Sequence, residues 1–378
     1  MRLLGSSPAR TAMAGVLAAC LCMAAMGETL QLEKISVAPA LVLLPMSVGG
    51  RVREIHSVPR SGPGSEEYEY QWPGTYFRTA FIGSELYFRV GANHEILHVV
   101  VDGQAPLELV NPEAGVYRLS GLANGPHSVD MLVVTESQKG PNSFGGFDIV
   151  AGEKPLPLKR PSRQIEFIGD SYTVGYGNTS GKRECSVDEV WATTDNSKAF
   201  GPLVANHYQA DYQINAISGR GMVRNYNGLP GDPLPGTYPF VLFDKQQRYA
   251  DRNWKPQIIV VSLGTNDFAM PLNPRERWKN NDELRSDYEK TYVRFIQGLR
   301  AGNADAYIIL WAADKDDAEV QRVAELARAQ GERKIAFIPI DHLSFRGCHW
   351  HPSLADDETI RDKLVQFIDS HPGIWQGR

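Results

Sequence analysis

Cysteine, long apolar segments and clusters of positive charge are all scarce in this chain of 378 residues. Its 4 cysteines form no motif typical of a metal site, which argues against a cysteine-bound metal. The net charge is −5 and no run of lysine or arginine occurs, so we expect no nucleic-acid partner and instead a neutral or weakly charged substrate. An apolar stretch at 11–26 is shorter than a typical membrane-spanning helix. With 42% hydrophobic and 22% charged residues, the composition is that of a folded globular protein, and the length favours two domains.

The N-terminal segment has the pattern of an export signal. Arg2 and Arg10 precede the apolar stretch, and cleavage after Gly27 follows the small-residue rule for signal removal. We therefore expect residues 1–27 to be removed and the mature protein to be periplasmic or secreted. The competing interpretation is an outer-membrane lipoprotein with a lipid anchor at Cys20, but the apolar run continues past this cysteine.

Two cysteines, Cys185 and Cys348, remain once residues 1–27 are removed. In an exported protein such a pair favours one disulfide, because the compartment is oxidising. Two separate buried thiols are the alternative.

Residues 28–150 have the pattern of a β-rich domain. Short runs of valine, tyrosine and phenylalanine are broken by glycine, proline and asparagine, and no stretch of helical periodicity interrupts them. Residues 79–90 are predicted to form two strands joined at Gly83 and Ser84, and 98–101 a strand that enters a turn. The sequence therefore predicts an antiparallel β-sandwich.

The proline-containing residues 151–163 are predicted to link this domain to a second one, at 164–378, in which apolar runs alternate with helix-like segments. Continuous apolar runs are typical of parallel strands that are buried on both faces. The runs occupy 258–262, 306–311 and 335–340, and the helix-like segments 282–300, 316–330 and 353–370. The second half is therefore predicted to be a doubly wound α/β domain.

A Gly-Asp-Ser triplet follows the first apolar run of this half, residues 165–168. Gly169 permits a sharp turn of the backbone. Since sites in an open α/β sheet form beyond the carboxyl ends of the strands, Ser171 is expected to face a crevice. It is a candidate nucleophile, although the same triplet also suits an ordinary turn or a helix cap.

Two later stretches contain groups that an acyl-transfer site uses to stabilise a negatively charged oxygen. In the first, Gly219 and Gly221 leave the backbone free to present an amide, although a glycine-rich turn explains them equally well. In the second, Asn266 follows a predicted buried strand and can donate its side-chain amide, while Asp267 is expected to cap the next segment or hold a loop.

The candidate general base lies at 347–353, just before the last predicted helix. Histidine is the usual base at neutral pH, and His349 and His351 compete for this role. The pair is also a candidate metal site, but no obvious third ligand accompanies it, and we predict no bound metal.

The order of these motifs, Gly-Asp-Ser, Ser-Gly-x-Gly, Gly-x-Asn-Asp and His-Pro, resembles the SGNH hydrolase superfamily over residues 163–378. The preceding sandwich with VVVDG and LANGPHSVDMLVVTE, and the late GCHWHPS, make the chain similar to carbohydrate esterase family two. This resemblance implies a jelly-roll sandwich packed against an SGNH catalytic domain. It further implies removal of acetyl groups from plant cell-wall polysaccharides such as xylan and glucomannan, without a metal or organic cofactor.

The resemblance also implies a role for each motif. Ser171 would be the nucleophile and His351 the base and then the acid. The oxyanion hole would consist of the Ser171 amide, the Gly219 amide and the Asn266 side chain, and loss of Asn266 would severely slow the reaction.

One position departs from the superfamily pattern, because Cys348 stands where an aspartate usually precedes the histidine. Either a backbone carbonyl orients the ring of His351, or a distant aspartate reaches it in the fold. Cys348 is instead expected to pair with Cys185, which would tie the histidine loop to the loop after the nucleophile.

Aromatic residues near these motifs are candidates for stacking on sugar rings. Tyr172 and Trp350 are the predicted substrate contacts, and Tyr176 lies near the same loops. Trp311 belongs to an apolar run and is predicted to be a core residue.

Three functions remain open from the sequence. The leading prediction is an exported esterase that removes O-acetyl groups from a polysaccharide or oligosaccharide through an acyl-enzyme on Ser171, with another acetylated glycan or a small acyl ester as alternative substrates. The second is a carbohydrate-binding surface protein without catalysis, and the third is an adhesive or structural protein. Cleavage of a chromogenic acetate ester separates the first from the other two.

Overall fold

The computed structural model describes residues 29–56, 66–91, 94–313 and 316–376. The predicted export signal at 1–27, with Cys20, lies outside these ranges. Within them, no helix has the length and apolar character needed to span a bilayer. The same residues contain no group of three or more His, Cys, Asp or Glu that could hold a metal ion.

In the N-terminal region, the described residues form thirteen strands. They are β1 (Gln31–Ile35), β2 (Leu41–Leu43), β3 (Ser47–Gly49), β4 (Val52–His56), β5 (Glu66–Tyr70), β6 (Tyr76–Gly83), β7 (Leu86–Val90), β8 (Ile96–Val101), β9 (Leu107–Val110), β10 (Gly115–Ser120), β11 (Gly125–Val133), β12 (Asn142–Val150) and β13 (Lys154–Pro155). One antiparallel sheet has the order β1-β10-β7-β12-β5-β4, with β2 beside β12. The other has the order β13-β6-β11-β8-β9, with β3 beside β6.

One hydrophobic core is shared by the two sheets. Phe77 and Phe81 of β6 belong to it together with Phe88 of β7 and Phe144 of β12, and all four are fully buried. The ring centroids of Phe77 and Phe144 are 4.4 Å apart, which joins the two sheets directly. The predicted β-sandwich is confirmed.

The structure defines the predicted turn at Gly83 and Ser84 and the predicted linker more closely. The strands predicted on either side of Gly83 and Ser84 are β6 and β7, which belong to opposite sheets, so the chain crosses the core at this turn. The predicted linker contributes β13, whose Lys154 and Pro155 pair with Ile82 and Phe81 of β6.

The C-terminal region is a parallel sheet flanked by helices. Its strands are β14 (Gln164–Gly169), β15 (Asp211–Ala216), β16 (Ile258–Ser262), β17 (Tyr307–Ala312) and β18 (Ile335–Pro339). Its α-helices are α1 (Ser171–Val174), α2 (Val187–Thr193), α3 (Phe200–His207), α4 (Leu234–Thr237), α5 (Thr265–Phe268), α6 (Asn281–Gly302), α7 (Asp317–Ala329) and α8 (Leu354–Asp369).

The strand order β15-β14-β16-β17-β18 makes this sheet doubly wound, as predicted. The chain leaves β14 for β15 on one side and returns to β16 on the other, so β14 and β16 are neighbours at the reversal of strand order. Loops at the carboxyl ends of such neighbouring strands diverge and leave a crevice. Ser171 follows β14 and Asn266 follows β16, which brings both residues to this crevice.

Buried polar contacts connect the two regions. Arg51, between β3 and β4, is 2% exposed and forms an ion pair with Glu166 of β14, with a nitrogen–oxygen distance of 3.2 Å. Trp72, after β5, donates its indole N–H to the carbonyl oxygen of Val241 at 2.8 Å. The sandwich therefore packs on the α/β region through specific polar groups.

Candidate active site

Ser171 is held at a sharp turn between β14 and α1. At Gly169, a Cβ atom would lie 2.0 Å from the Thr173 hydroxyl oxygen and 3.0 Å from the Ser262 carbonyl oxygen, so only glycine fits there. Asp170 caps α1 by accepting a hydrogen bond from the Tyr172 N–H at 3.0 Å. Ser171 thus begins a helix at the carboxyl edge of the sheet, with 6% of its surface exposed.

Of the two candidate histidines, His351 is the one that contacts Ser171. Its Nε2 atom lies 2.8 Å from the Ser171 Oγ atom, within hydrogen-bond distance. The exposed His349 turns away, with its Nε2 atom 2.8 Å from the Cys185 carbonyl oxygen and its Nδ1 atom 3.1 Å from the Tyr176 hydroxyl.

Backbone carbonyls orient the ring of His351. Its Nδ1 atom lies 2.9 Å from the carbonyl oxygen of Cys348 and 3.2 Å from that of His349. Because carbonyl oxygens only accept hydrogen bonds, Nδ1 carries the proton and Nε2 offers its lone pair to the Ser171 hydroxyl. Of the two options left by the missing aspartate, the described residues provide the carbonyl one.

The environment of His351 favours the neutral ring. Burial lowers its pKa from 6.5 to about 4, and the hydrogen bonds to the two carbonyls oppose this shift only in part. Tyr172 and Tyr176 supply much of the cover, with ring centroids 5.5 and 4.3 Å from the imidazole. A neutral histidine at pH 7 can accept a proton.

Asn266 and the loop after β15 that contains Gly219 and Gly221, called the glycine loop below, lie on the other side of Ser171. Gly219, just after β15, has φ = 79° and no atom within 4 Å of the position that a Cβ would take. The backbone N–H groups of Ser171 and Gly219 donate to no protein acceptor in the part of the chain that the structure describes. The Asn266 side-chain nitrogen donates to the Asp170 carboxylate and to the Arg220 carbonyl, both at 2.9 Å.

Asp267 holds the glycine loop, as one of the two sequence expectations for it stated. Its fully buried carboxylate accepts hydrogen bonds from the N–H groups of Met222, Val223 and Arg224, at 2.8, 2.8 and 2.9 Å. Burial raises the pKa of Asp267 to about 7, although the three N–H groups lower it. The loop therefore folds around the side chain that follows Asn266.

A disulfide joins Cys185 to Cys348, with the two Cα atoms 5.5 Å apart. Cys348 is fully buried, and its N–H donates to the carbonyl of Gly177. The histidine loop is thereby attached to the segment that follows the nucleophile.

The aromatic candidates differ in exposure. Tyr172 is only 9% exposed and packs between Phe345 and His351, which leaves little of its ring for a substrate. Trp350 is 57% exposed and directly precedes His351. Trp311 is fully buried in the core of the α/β region, as predicted.

The sequence reasoning missed Glu136 and Gln138, which follow β11 of the sandwich. Glu136 accepts a hydrogen bond from the Ser218 N–H at 2.7 Å, and Gln138 donates to the Ser218 carbonyl at 3.1 Å. The contact spans 82 residues and joins two regions of different fold, so no local pattern in the sequence signals it.

Two family models match the chain. The model of the carbohydrate esterase 2 N-terminal family matches residues 60–158. The model of the GDSL-like lipase/acylhydrolase family matches residues 167–373, which include Ser171 and His351.

Curated relatives match over most of the chain. It is 42% identical over 337 residues to an acetylxylan esterase / glucomannan deacetylase of Cellvibrio japonicus, a match that covers 88% of this chain and 92% of that protein. It is 29% identical over 317 residues to the cellulase/esterase CelE of Acetivibrio thermocellus, covering 80% of this chain but 37% of that larger protein.

Solved structures of carbohydrate esterases share the architecture of both regions. One is a carbohydrate esterase whose active site displays divergent catalytic and non-catalytic binding functions. It superimposes with a TM-score of 0.83 at 40% identity, and the match covers 88% of this chain and 100% of the solved chain. A family two carbohydrate esterase from Clostridium thermocellum in complex with cellohexaose has a TM-score of 0.73 at 26% identity, covering 87% and 100%.

Proposed function

Because the chain belongs to carbohydrate esterase family two, and is thus a carbohydrate esterase, we propose that it removes O-acetyl groups from a polysaccharide or oligosaccharide of the xylan or glucomannan type. The observation that carries the proposal is the 2.8 Å contact between Ser171 Oγ and His351 Nε2. The name of the Cellvibrio japonicus relative, acetylxylan esterase / glucomannan deacetylase, supports the choice of substrate.

In the first half-reaction, Ser171 becomes acetylated. Its Oγ atom attacks the carbonyl carbon of the acetyl group while His351 Nε2 accepts the hydroxyl proton. The tetrahedral intermediate collapses as the bond from this carbon to the sugar oxygen breaks, and His351 returns the proton to that oxygen. The deacetylated sugar leaves with a free hydroxyl group.

In the second half-reaction, water takes the place of the sugar hydroxyl. His351 accepts a proton from the water as its oxygen attacks the acetyl carbon, and the bond to Ser171 Oγ then breaks. The proton returns to Oγ and acetate is released. The carbonyls of Cys348 and His349 keep the ring in one orientation through both halves.

The oxyanion is stabilised by three donors in this proposal. The N–H groups of Ser171 and Gly219 are available because neither has an acceptor among the described residues. The Asn266 side-chain nitrogen now donates to the Asp170 carboxylate and to the Arg220 carbonyl. In this proposal one of its two hydrogens is shared between its present acceptor and the oxyanion. Removal of one such donor typically lowers kcat by about 10²–10³.

Trp350 is proposed as the aromatic surface that receives a sugar ring. Its exposed fraction of 57% and its place directly before His351 support this role. Tyr172 is better suited to shielding His351, because it is 9% exposed.

We also propose that the protein is exported, with residues 1–27 removed. The Cys185–Cys348 disulfide supports this, because such bonds persist in oxidising compartments. Sequencing the N terminus of the mature protein tests it. A terminus at Glu28 is expected, whereas a lipid-modified Cys20 would support the outer-membrane lipoprotein instead.

The function is tested by measuring acetate released from acetylated xylan and acetylated glucomannan, with the Ser171→Ala variant as the matched control. We expect release by the native protein and none above background by the variant. If a chromogenic acetate ester is cleaved but neither polymer is, the chemistry stands and the substrate class is wrong. If neither protein releases acetate while both bind glycan, the non-catalytic carbohydrate-binding function replaces this one.

A further inference from the structure

The segment after β11 reaches from the sandwich to the glycine loop of the α/β region. Its backbone is fixed on the way: the Val134 carbonyl accepts from the Asn196 N–H at 2.8 Å, and the buried Thr135 hydroxyl accepts from the Ile96 N–H at 2.9 Å. Glu136, the next residue, is therefore attached to a rigid part of the chain. Its carboxylate is half-buried at the boundary of the two regions.

Both polar backbone groups of Ser218 are bound by this segment. Its N–H donates to the Glu136 carboxylate at 2.7 Å, and its carbonyl accepts from the Gln138 side chain at 3.1 Å. The N–H of Gly219 belongs to the peptide unit that contains this same carbonyl. The Gln138 bond therefore fixes the peptide unit of the Gly219 N–H, and the Glu136 bond fixes the peptide unit directly before it.

The other side of Gly219 is held by the α/β region itself. Asn266 binds the Arg220 carbonyl at 2.9 Å, and Asp267 binds the three N–H groups that follow. Gly219 thus lies between two sets of restraints, one from each region. No atom lies within 4 Å of the position that a Cβ of Gly219 would take, so packing on this side does little to orient its amide. Hydrogen bonds must maintain the orientation of the Gly219 amide.

We infer that Glu136 is a positioning residue for the esterase reaction, through which the sandwich fixes the Gly219 amide in the oxyanion hole. This inference rests on the proposed function. Glu136 acts as a hydrogen-bond acceptor for Ser218, so its charge is dispensable and its oxygen is not. A glutamine, which keeps a carbonyl oxygen at the same distance from the backbone, should replace it.

The test compares Glu136→Ala with Glu136→Gln on a chromogenic acetate ester. A loosened oxyanion donor weakens stabilisation of the transition state without weakening ground-state binding, so the loss should be in kcat. We expect kcat of Glu136→Ala to fall by about 10- to 100-fold with KM nearly unchanged, less than the loss typical of a deleted donor. Glu136→Gln should recover most of this loss.

Two further variants separate positioning from folding. Glu113→Ala removes an exposed sandwich glutamate whose carboxylate pairs with Lys34, and it should leave kcat unchanged. Gln138→Ala removes the second hydrogen bond to Ser218 and should also lower kcat. This variant keeps the test possible if Glu136→Ala does not fold. Thermal unfolding of each variant identifies any loss that is due to instability.

Two results would overturn the inference: native kcat in a folded Glu136→Ala variant, or a Glu136→Gln variant as slow as a folded Glu136→Ala. A proposed function that is wrong gives a different result, namely a native protein that releases no acetate from the ester or the polymers. That result would remove the basis of this inference as well.

Discussion

At the scale of single residues, His351 combines two properties that a catalytic base needs. Carbonyl acceptors at Nδ1 set the tautomer, and burial keeps the ring neutral far below pH 7. A carboxylate partner would raise the pKa of the ring by favouring its charged form. The described site has no carboxylate there, and the pH dependence of activity should reveal the difference.

We expect protonation of His351 to reduce kcat/KM for a chromogenic acetate ester with an apparent pKa well below 6.5, near 4. The sign follows from the lowered pKa of His351: the neutral, active form persists as the pH falls, until the ring is protonated. Enzyme returned from pH 4 to pH 7 should regain full activity, which controls for denaturation. A titration of His351 itself centred at 6.5 or above would contradict the lowered pKa.

Residue identities were predictable where chemistry restricts the choice. Ser171, Gly219, Asn266 and His351 were singled out in the sequence, and the structure brings all four to the same edge of the sheet. The choice between the two histidines needed the fold. Glu136 needed it too, because its partner belongs to the other region.

At the scale of elements, the histidine loop is the least regular part of the site. His349 and Trp350 both have positive φ, at 52° and 59°, a conformation that non-glycine residues adopt only when their surroundings hold them. The Cys185–Cys348 disulfide and the bond from the Cys348 N–H to the Gly177 carbonyl provide such support. The same loop supplies the two carbonyls that orient His351.

We predict that the double variant Cys185→Ser/Cys348→Ser has a lower kcat, with a smaller change in KM. It should also be less stable by about 2–5 kcal/mol, since the disulfide closes a loop with a sequence separation of 163. Steady-state kinetics and denaturant unfolding measure the two effects. Thiol titration of the denatured native protein, without reductant, should find no free thiol. Two free thiols, or a double variant with native kcat, would show that the disulfide does not support the site.

Elements with simple patterns were predicted, and one with a polar pattern was missed. The apolar runs at 258–262, 306–311 and 335–340 correspond to β16, β17 and β18. The edge strand β15, Asp211–Ala216, was not predicted, because its buried Gln213 and Asn215 interrupt the apolar run. Asn215 donates to Glu166 at 2.6 Å, and Gln213 donates to the Tyr249 hydroxyl at 2.6 Å, so partners distant in sequence compensate for their burial.

At the scale of the whole molecule, the two regions depend on a buried charge. The guanidinium of Arg51 pairs with Glu166 and lies 4.5 Å from the ring centroids of both Tyr238 and Tyr249. It also donates to the carbonyl of Tyr238. Since Glu136 and Arg51 both reach from the sandwich into the α/β region, we expect the docking of the regions to affect the geometry of the site.

We predict that Arg51→Met lowers the free energy of unfolding by about 3–5 kcal/mol, because it removes the ion-pair partner of the buried Glu166 carboxylate. Arg118→Met is the matched control: it removes an arginine that pairs with Glu33 on the sandwich surface, and it should have a much smaller effect on stability. Denaturant unfolding followed by tryptophan fluorescence compares the two. Equal effects of the two substitutions would mean that the buried pair does not stabilise the docking.

The docking itself was beyond sequence reasoning. The β-sandwich and the α/β region each followed from local periodicity, and their contact followed only from the family resemblance. Arg51, Trp72 and Glu136 sit in unrelated local patterns, and their importance arises from partners that are 115, 169 and 82 residues away.

Ser171 is proposed to carry the acetyl group as a covalent ester during turnover, and this intermediate can be trapped. With an activated acetate ester, acylation is fast and the acetyl-enzyme should accumulate, so that acid quenching followed by peptide mass spectrometry can locate it. We expect one added acetyl group on the peptide that contains Ser171, and none in the Ser171→Ala variant. Turnover without acetyl on Ser171, or an acetyl group on another residue that is required for turnover, would contradict it.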